Sequence, residues 1–250
     1  MQSQFQRYEC KYLVTETVAK AVAAAVLPFV VPDEHARRRP GHTYPICSLY
    51  LDSVRHALAH ETVEGQLDRF KLRIRAYSDE ATAPVFLEIK RRRNQVVHKS
   101  RCRMPRQALP ALLAAGGAIA PPAAATAAEA RAFGEFVRLM LETAAVPTLL
   151  VRYDREAYVG GADPEARVTF DRRLVAARTP RAEVRLHGAD FQSVETGMVV
   201  LELKFNRRCP AWLDAIVHGQ GLQRRSFSKY ARCLAATGRA ITSVGGGSEP

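Results

Sequence analysis

No stretch of the 250-residue sequence approaches the roughly 18 apolar residues that a membrane-spanning helix needs. The apolar segment from Ala19 to Val31 is broken by Lys20 and Pro28 and follows a charged stretch with Glu9, Lys11 and Glu16, so it lacks the build of a secretory leader. Cysteine is scarce: Cys10, Cys47, Cys102, Cys209 and Cys233 make an odd five with no C-x-x-C spacing. That speaks against a zinc cluster or a disulfide scaffold and fits a reducing compartment, so a soluble, cytoplasmic protein is expected. Aromatics are few, at 8%. There is no internal repeat and no glycine-rich loop leading into a helix. Of the histidines only His56 and His60 are four apart, without a third ligand nearby, so they read as surface groups. Acidic residues are short as well, 25 against 37 Lys and Arg, which leaves a net charge of +12. A pI near 9.9 implies an anionic partner: nucleic acid, a membrane surface or a small polyanion.

The remaining composition, 47% apolar and 25% charged, is that of a globular protein. A chain of this length buries a large core without disulfides, and β-barrels often use all of it as one domain. The pattern predicts strands at 7–14, 47–52, 70–77, 85–91, 96–104, 148–159, 166–174 and 198–205. Helices are expected after Thr15, near 56–64, from Glu129 to Glu142, after Pro210 and over 227–237. The Ala-rich segment 107–146 reads as a helical insertion between two halves of a sheet, within a single domain over 1–240, and 241–250 as a disordered tail. The expected fold class is α+β, an antiparallel β-barrel with helices packed around it.

Alternate residues of a strand share a face. Lys71, Arg73 and Arg75 therefore lie together, opposite Leu72 and Ile74, while Phe86, Glu88 and Lys90 oppose Leu87 and Ile89. Lys99, Arg101 and Arg103 continue the pattern, as do Tyr153 with Arg155, Arg167 with Thr169 and Asp171, and Glu202 with Lys204. A solvated face mixes its signs, because like charges across strands repel. Here the face is overwhelmingly cationic, which calls for an anion upon it, and its arginines offer planar forks suited to phosphate. Glu88 and Glu202 are odd among such cations unless a divalent metal links carboxylate to phosphate.

Eight motifs carry a resemblance: Arg7-Tyr-Glu-Cys-Lys-Tyr12, Ser48-Leu-Tyr-Leu-Asp52, Lys71-Leu-Arg-Ile-Arg75, Phe86-Leu-Glu-Ile-Lys90, Tyr153-Asp-Arg-Glu-Ala-Tyr158, Arg167-Val-Thr-Phe-Asp171, Leu201-Glu-Leu-Lys-Phe205 and Ser226-Phe-Ser-Lys-Tyr230. In this order, over residues 5 to 235, the sequence resembles the catalytic domain of the vacuolar transporter chaperone polyphosphate polymerases, a branch of the triphosphate tunnel metalloenzymes. The resemblance implies a tunnel-forming barrel, a divalent metal (Mn²⁺ or Mg²⁺) and ATP as phosphoryl donor to a growing polyphosphate chain. It implies that Arg73, Arg75, Lys90, Arg155 and Arg167 serve the phosphoryl transfer. Lys11, Lys71, Lys99, Arg101, Tyr153, Lys204, Ser228 and Lys229 would then bind substrate, with Glu202 the metal ligand. The sequence departs from the wider superfamily's Glu-x-Glu-x-Lys opening, where Arg7 replaces the first acid. Two alternatives stay open: a triphosphatase on the same fold, and a non-catalytic module binding polyphosphate or nucleic acid. Few aromatics on the basic face argue against nucleic acid, which stacks its bases on such rings.

Overall fold

A computed structural model describes residues 7–94, 96–114, 120–195 and 197–238. Among the described residues ten strands and six α-helices follow the chain as β1 (Arg7–Thr15), α1 (Glu16–Val26), β2 (Val30–Pro32), β3 (Thr43–Asp52), α2 (Ala57–Val63), β4 (Asp68–Ala76), β5 (Val85–Arg93) and β6 (Val96–Met104). Then come α3 (Leu109–Ala114), α4 (Ala127–Glu142), β7 (Val146–Gly160), β8 (Arg167–Arg178), β9 (Gln192–Ser193), β10 (Met198–Asn206), α5 (Ala211–Gly219) and α6 (Lys229–Ala236). The fold is an antiparallel sheet with helices packed on it, the α+β class expected. No helix among the described residues is long and apolar enough to cross a membrane. The glycine-rich tail expected at 241–250 lies outside the described residues.

The chain forms two compact units, Met1–Cys47 with Arg152–Val175 and Ser193–Phe227, and Ser48–Val151 with Ala176–Gln192 and Ser228–Pro250. In the first unit the strands are ordered β1-β10-β8-β7, with β2 paired to β7. Val168, Phe170, Leu201 and Leu203, the inward half of each alternation, form a core with Val22 and Val26 of α1 and Leu213 of α5. Thr15 caps α1, its side chain accepting from Val18 N, while Glu16 places an acid in the first turn, where the helix dipole favours it.

In the second unit β3, β4, β5 and β6 follow one another. Leu72, Ile74, Leu87 and Ile89 are buried, whereas the alternate face carries the charged residues. Helix α4 packs on β5 and β6 through its buried Phe133, Phe136, Leu139 and Met140, spaced for one helix face. Its start is a capping box: Thr126 accepts from Glu129 N, and the Glu129 carboxylate accepts from Thr126 N. The expected helical insertion resolves into α3 and α4, while Gly116 and Gly117 lie outside the described residues.

Candidate functional site

In the second unit one carboxylate organises the cationic face. Glu88 of β5 stands opposite Arg73 of β4 on one side and Arg101 of β6 on the other. Its side chain is fully buried. Arg73 donates from Nε to Glu88 Oε2 at 2.8 Å, with Nη2 at 2.7 Å, and its Nη1 reaches the Tyr50 hydroxyl at 3.4 Å. Arg75 Nε lies 3.7 Å from the same oxygen and donates to Ser48 Oγ at 3.4 Å. On the other oxygen, Lys99 Nζ is at 2.8 Å and Arg101 Nε at 3.5 Å. Burial by itself would raise the Glu88 carboxyl, but Arg73, Arg75 and Lys99 outweigh it and hold the group well below the ordinary carboxylate range. Desolvation pushes Lys99 the other way, down to about 8, with Arg73 and Arg75 adding to it and Glu88 opposing.

Glu88, which stood out among the cations as an acid in need of a metal, instead pairs with them directly and relieves their repulsion from within. Four cations from two strands lie within 4 Å of this one carboxylate. Lys90 is flanked by Lys71 and Lys99, a row of like charges across three strands. Lys71 Nζ donates to Ser228 Oγ at 3.0 Å, and the same oxygen caps α6 by accepting from Ala231 N. Lys229, the first residue of α6, is buried. The helix is fastened by Tyr230, whose hydroxyl donates to Asp52 at 2.7 Å and whose ring stacks on Tyr50 at 4.5 Å. Asp52 in turn accepts from Leu58 N and Ala59 N at the start of α2. Burial and Asp52 push the Tyr230 phenol far up, so it stays protonated as a donor. Phe86 shares the charged face with Glu88, as its parity implies, with the Arg101 guanidinium 3.6 Å from its ring centre.

In the first unit the balance differs. Register sets Lys11 of β1 opposite Glu202 of β10, Glu9 opposite Lys204, and Lys204 also opposite Arg167 of β8. Lys204 Nζ is 2.8 Å from Glu202 Oε2, with Arg155 Nη2 at 3.7 Å from it, and Lys11 Nζ is 3.9 Å from Oε1. Lys11 also approaches Glu9 at 3.4 Å and donates to the Phe227 carbonyl at 2.9 Å. Arg155 grips Asp171 with two parallel bonds of 2.7 Å, and its guanidinium lies 5.3 Å from the Tyr153 ring centre. Burial would lower the Arg155 guanidinium, but Asp171 overrides it and holds the group well above its ordinary value. Arg167 is exposed at the start of β8. Parity pairs Tyr153 with Arg155 and Glu202 with Lys204, and the resemblance adds Lys11; the structure brings Lys11, Arg155, Glu202 and Lys204 together. Parity does not indicate that Asp171 occupies the Arg155 fork, although Asp171 shares the parity of Arg167.

Three carboxylates, from Glu9, Asp171 and Glu202, accompany three cations here. Among the described residues no three acidic, His or Cys side chains converge closely enough to hold a metal alone. The carboxylates of Glu9, Asp171 and Glu202 are hard oxygen donors, the class that divalent ions such as Mn²⁺ and Mg²⁺ take.

Comparison with known proteins places two solved structures alongside the chain. The PH1819 protein of Pyrococcus horikoshii OT3 is 12% identical, with a TM-score of 0.43, covering 92% of this chain and 96% of that one. A putative adenylyl cyclase from Hippeastrum, HpAC1, described by its dominant triphosphatase activity, is 14% identical, with a TM-score of 0.46, covering 93% of this chain and 97% of that one. No curated protein matches the sequence. The model of the VTC domain matches residues 6–237, which takes in both charged clusters. The chain belongs to the VTC domain family.

Proposed function

We propose that the protein is a metal-dependent phosphotransferase that moves the γ-phosphoryl group of ATP onto the end of a growing polyphosphate chain. The observation that carries this reading is the Glu88 cluster: Arg73, Arg75, Lys99 and Arg101 on a single buried carboxylate, with the Lys71–Lys90–Lys99 row beside it. Such fixed positive charge suits a substrate carrying about one negative charge per phosphate. In the transfer, a terminal oxygen of the polyphosphate forms a bond to the γ-phosphorus and the β–γ bridging bond breaks, releasing ADP. No covalent protein intermediate is required; preorganised cations stabilise charge on the transferring oxygens. In this reading Lys71 and Ser228, which bond to each other, also bind phosphate oxygens, while Tyr230 with Asp52 fastens the helix that carries Ser228 and Lys229. A divalent ion held by Glu202 would neutralise phosphate charge, with Glu9 and Asp171 as the nearby acids.

The test is incubation of the purified protein with ATP and Mn²⁺, following polyphosphate by gel and free phosphate in parallel, for wild type, Arg75→Ala and Glu202→Ala. Polymer made by the wild type and abolished in both variants is the expected result. Free phosphate without polymer would identify a triphosphatase instead, and tripolyphosphate binding without either product a non-catalytic module.

The lowered Lys99 gives a pH signature. Below about 8 its ammonium is charged and attracts phosphate; above, it is neutral. Tripolyphosphate affinity should fall several-fold as pH rises from 7 to 9.5, with proton uptake on binding near pH 8, because the anion stabilises the charged form. Lys99→Arg, charged throughout, should flatten this dependence in calorimetry; an identical slope in that variant refutes the assignment.

A further inference from the structure

Thr169 of β8 stands directly across from Glu202 of β10, between Arg167 and Asp171 on the same face of its strand. The neighbours of opposite parity, Val168 and Phe170, lie in the apolar core, so the Thr169 side chain belongs to the charged side. Only 6% of the residue is exposed. Its hydroxyl oxygen is buried and has no hydrogen-bond partner among the described residues. A buried hydroxyl without a partner is costly, and such groups are normally satisfied by protein or ordered water. Valine would fill the same space at no such cost, so packing does not explain a threonine here.

We propose that Thr169 is a further binding residue, whose hydroxyl donates to a phosphoryl oxygen of the bound polyanion. This rests on the phosphotransferase reading. The surroundings favour it: Lys11, Arg155 and Lys204 lie around Glu202 and bring anionic oxygen to this face, and Arg155 reaches both Glu202 and Asp171. A hydroxyl adds what these cations lack, a directional donor without charge. It grips one oxygen without deepening the electrostatic well from which product must leave. Neither composition nor charge pattern picks out this residue, since threonine is ordinary in strands.

The experiment is calorimetric titration of inorganic tripolyphosphate into wild type, Thr169→Val and Thr169→Ser, with and without Mn²⁺, alongside thermal melts. Thr169→Val should melt at or above the wild-type temperature, because an unsatisfied buried group has been replaced by an apolar one of the same shape. It should bind tripolyphosphate roughly tenfold more weakly in both buffers, the loss of one hydrogen bond to a charged group. Thr169→Ser, which keeps the hydroxyl, should stay within about twofold of wild type. Equal binding by Thr169→Val overturns the proposal, and so does a defect confined to Mn²⁺ buffer, which would move the hydroxyl into the shell of the ion. If valine unsettles the fold, Thr169→Ala and Thr169→Ser, differing by the hydroxyl alone, decide the matter: equal affinities refute it. Failure of the wild type to bind tripolyphosphate would instead remove the phosphotransferase reading.

Discussion

Glu88→Gln should lower the stability of the protein by about 3–5 kcal/mol, measured by denaturant unfolding near pH 7. The carboxylate is fully buried and touches Arg73, Arg75, Lys99 and Arg101, so a neutral amide leaves their mutual repulsion uncompensated. The amide also presents two N–H donors to groups that can only donate. The pH dependence follows from the direction of the shift. The folded-state pKa of Glu88 lies below its ordinary value of 4.5, so its contribution is complete above that value and is lost as pH falls toward the depressed one. The gap between wild type and variant should therefore narrow in acid. Tripolyphosphate should stabilise the variant more than the wild type, since the added anion takes over the role of the missing charge. A loss below about 1 kcal/mol would mean that water already screens the cluster, as at surface ion pairs, and would remove Glu88 as its organiser.

This arrangement explains what the sequence could and could not convey. Strand β6 was expected over 96–104 and runs from Val96 to Met104, because Cys102 and Met104 are buried while Lys99, Arg101 and Arg103 point away from them. Helix α4 is equally legible from the spacing of Phe133, Phe136 and Met140, and its Thr126 capping box starts it at Ala127, two residues before the expected Glu129. Strand β8 outran the expected end at Leu174 and reached Arg178. Arg173 has a positive φ of 51°, a bulge conformation that interrupts the alternation on which the expectation relied. Two- and three-residue strands such as β9 and β2 carry no periodicity to read.

The charged residues divide in a similar way. Parity identifies which side chains share a face, so the cations were found together. Parity is silent on which acid ends in which fork, because that depends on partners far apart in sequence. Asp171 meets Arg155 sixteen residues away, and Asp52 meets Tyr230 at a separation of 178. Thr169 is placed on its face by parity, but its distinction is a buried hydroxyl without a partner, which no sequence pattern encodes. The charge total misleads as well. A net +12 suggests an evenly basic site, yet the Glu88 cluster has four cations on one acid while the residues around Glu202 are balanced three against three.

Arg155→Met should be about as damaging as the loss of Glu88, at about 3–5 kcal/mol, and for the opposite reason. Asp171 is 1% exposed and receives two bonds of 2.7 Å from the Arg155 guanidinium. Methionine fills much the same volume but removes both bonds and the compensating charge from that buried carboxylate, with Glu202 close by to repel it. Adding Asp171→Asn to Arg155→Met should recover a large part of the loss, because a neutral pair can be buried where a lone charge cannot. Arg155→Lys should fall between, since one ammonium cannot reproduce two parallel bonds. The double-mutant cycle measures the coupling directly. A coupling near zero would show that Arg155 is held by packing against Tyr153, leaving its fork available to phosphate. A strong coupling means that this arginine serves first to hold Asp171 and Glu202.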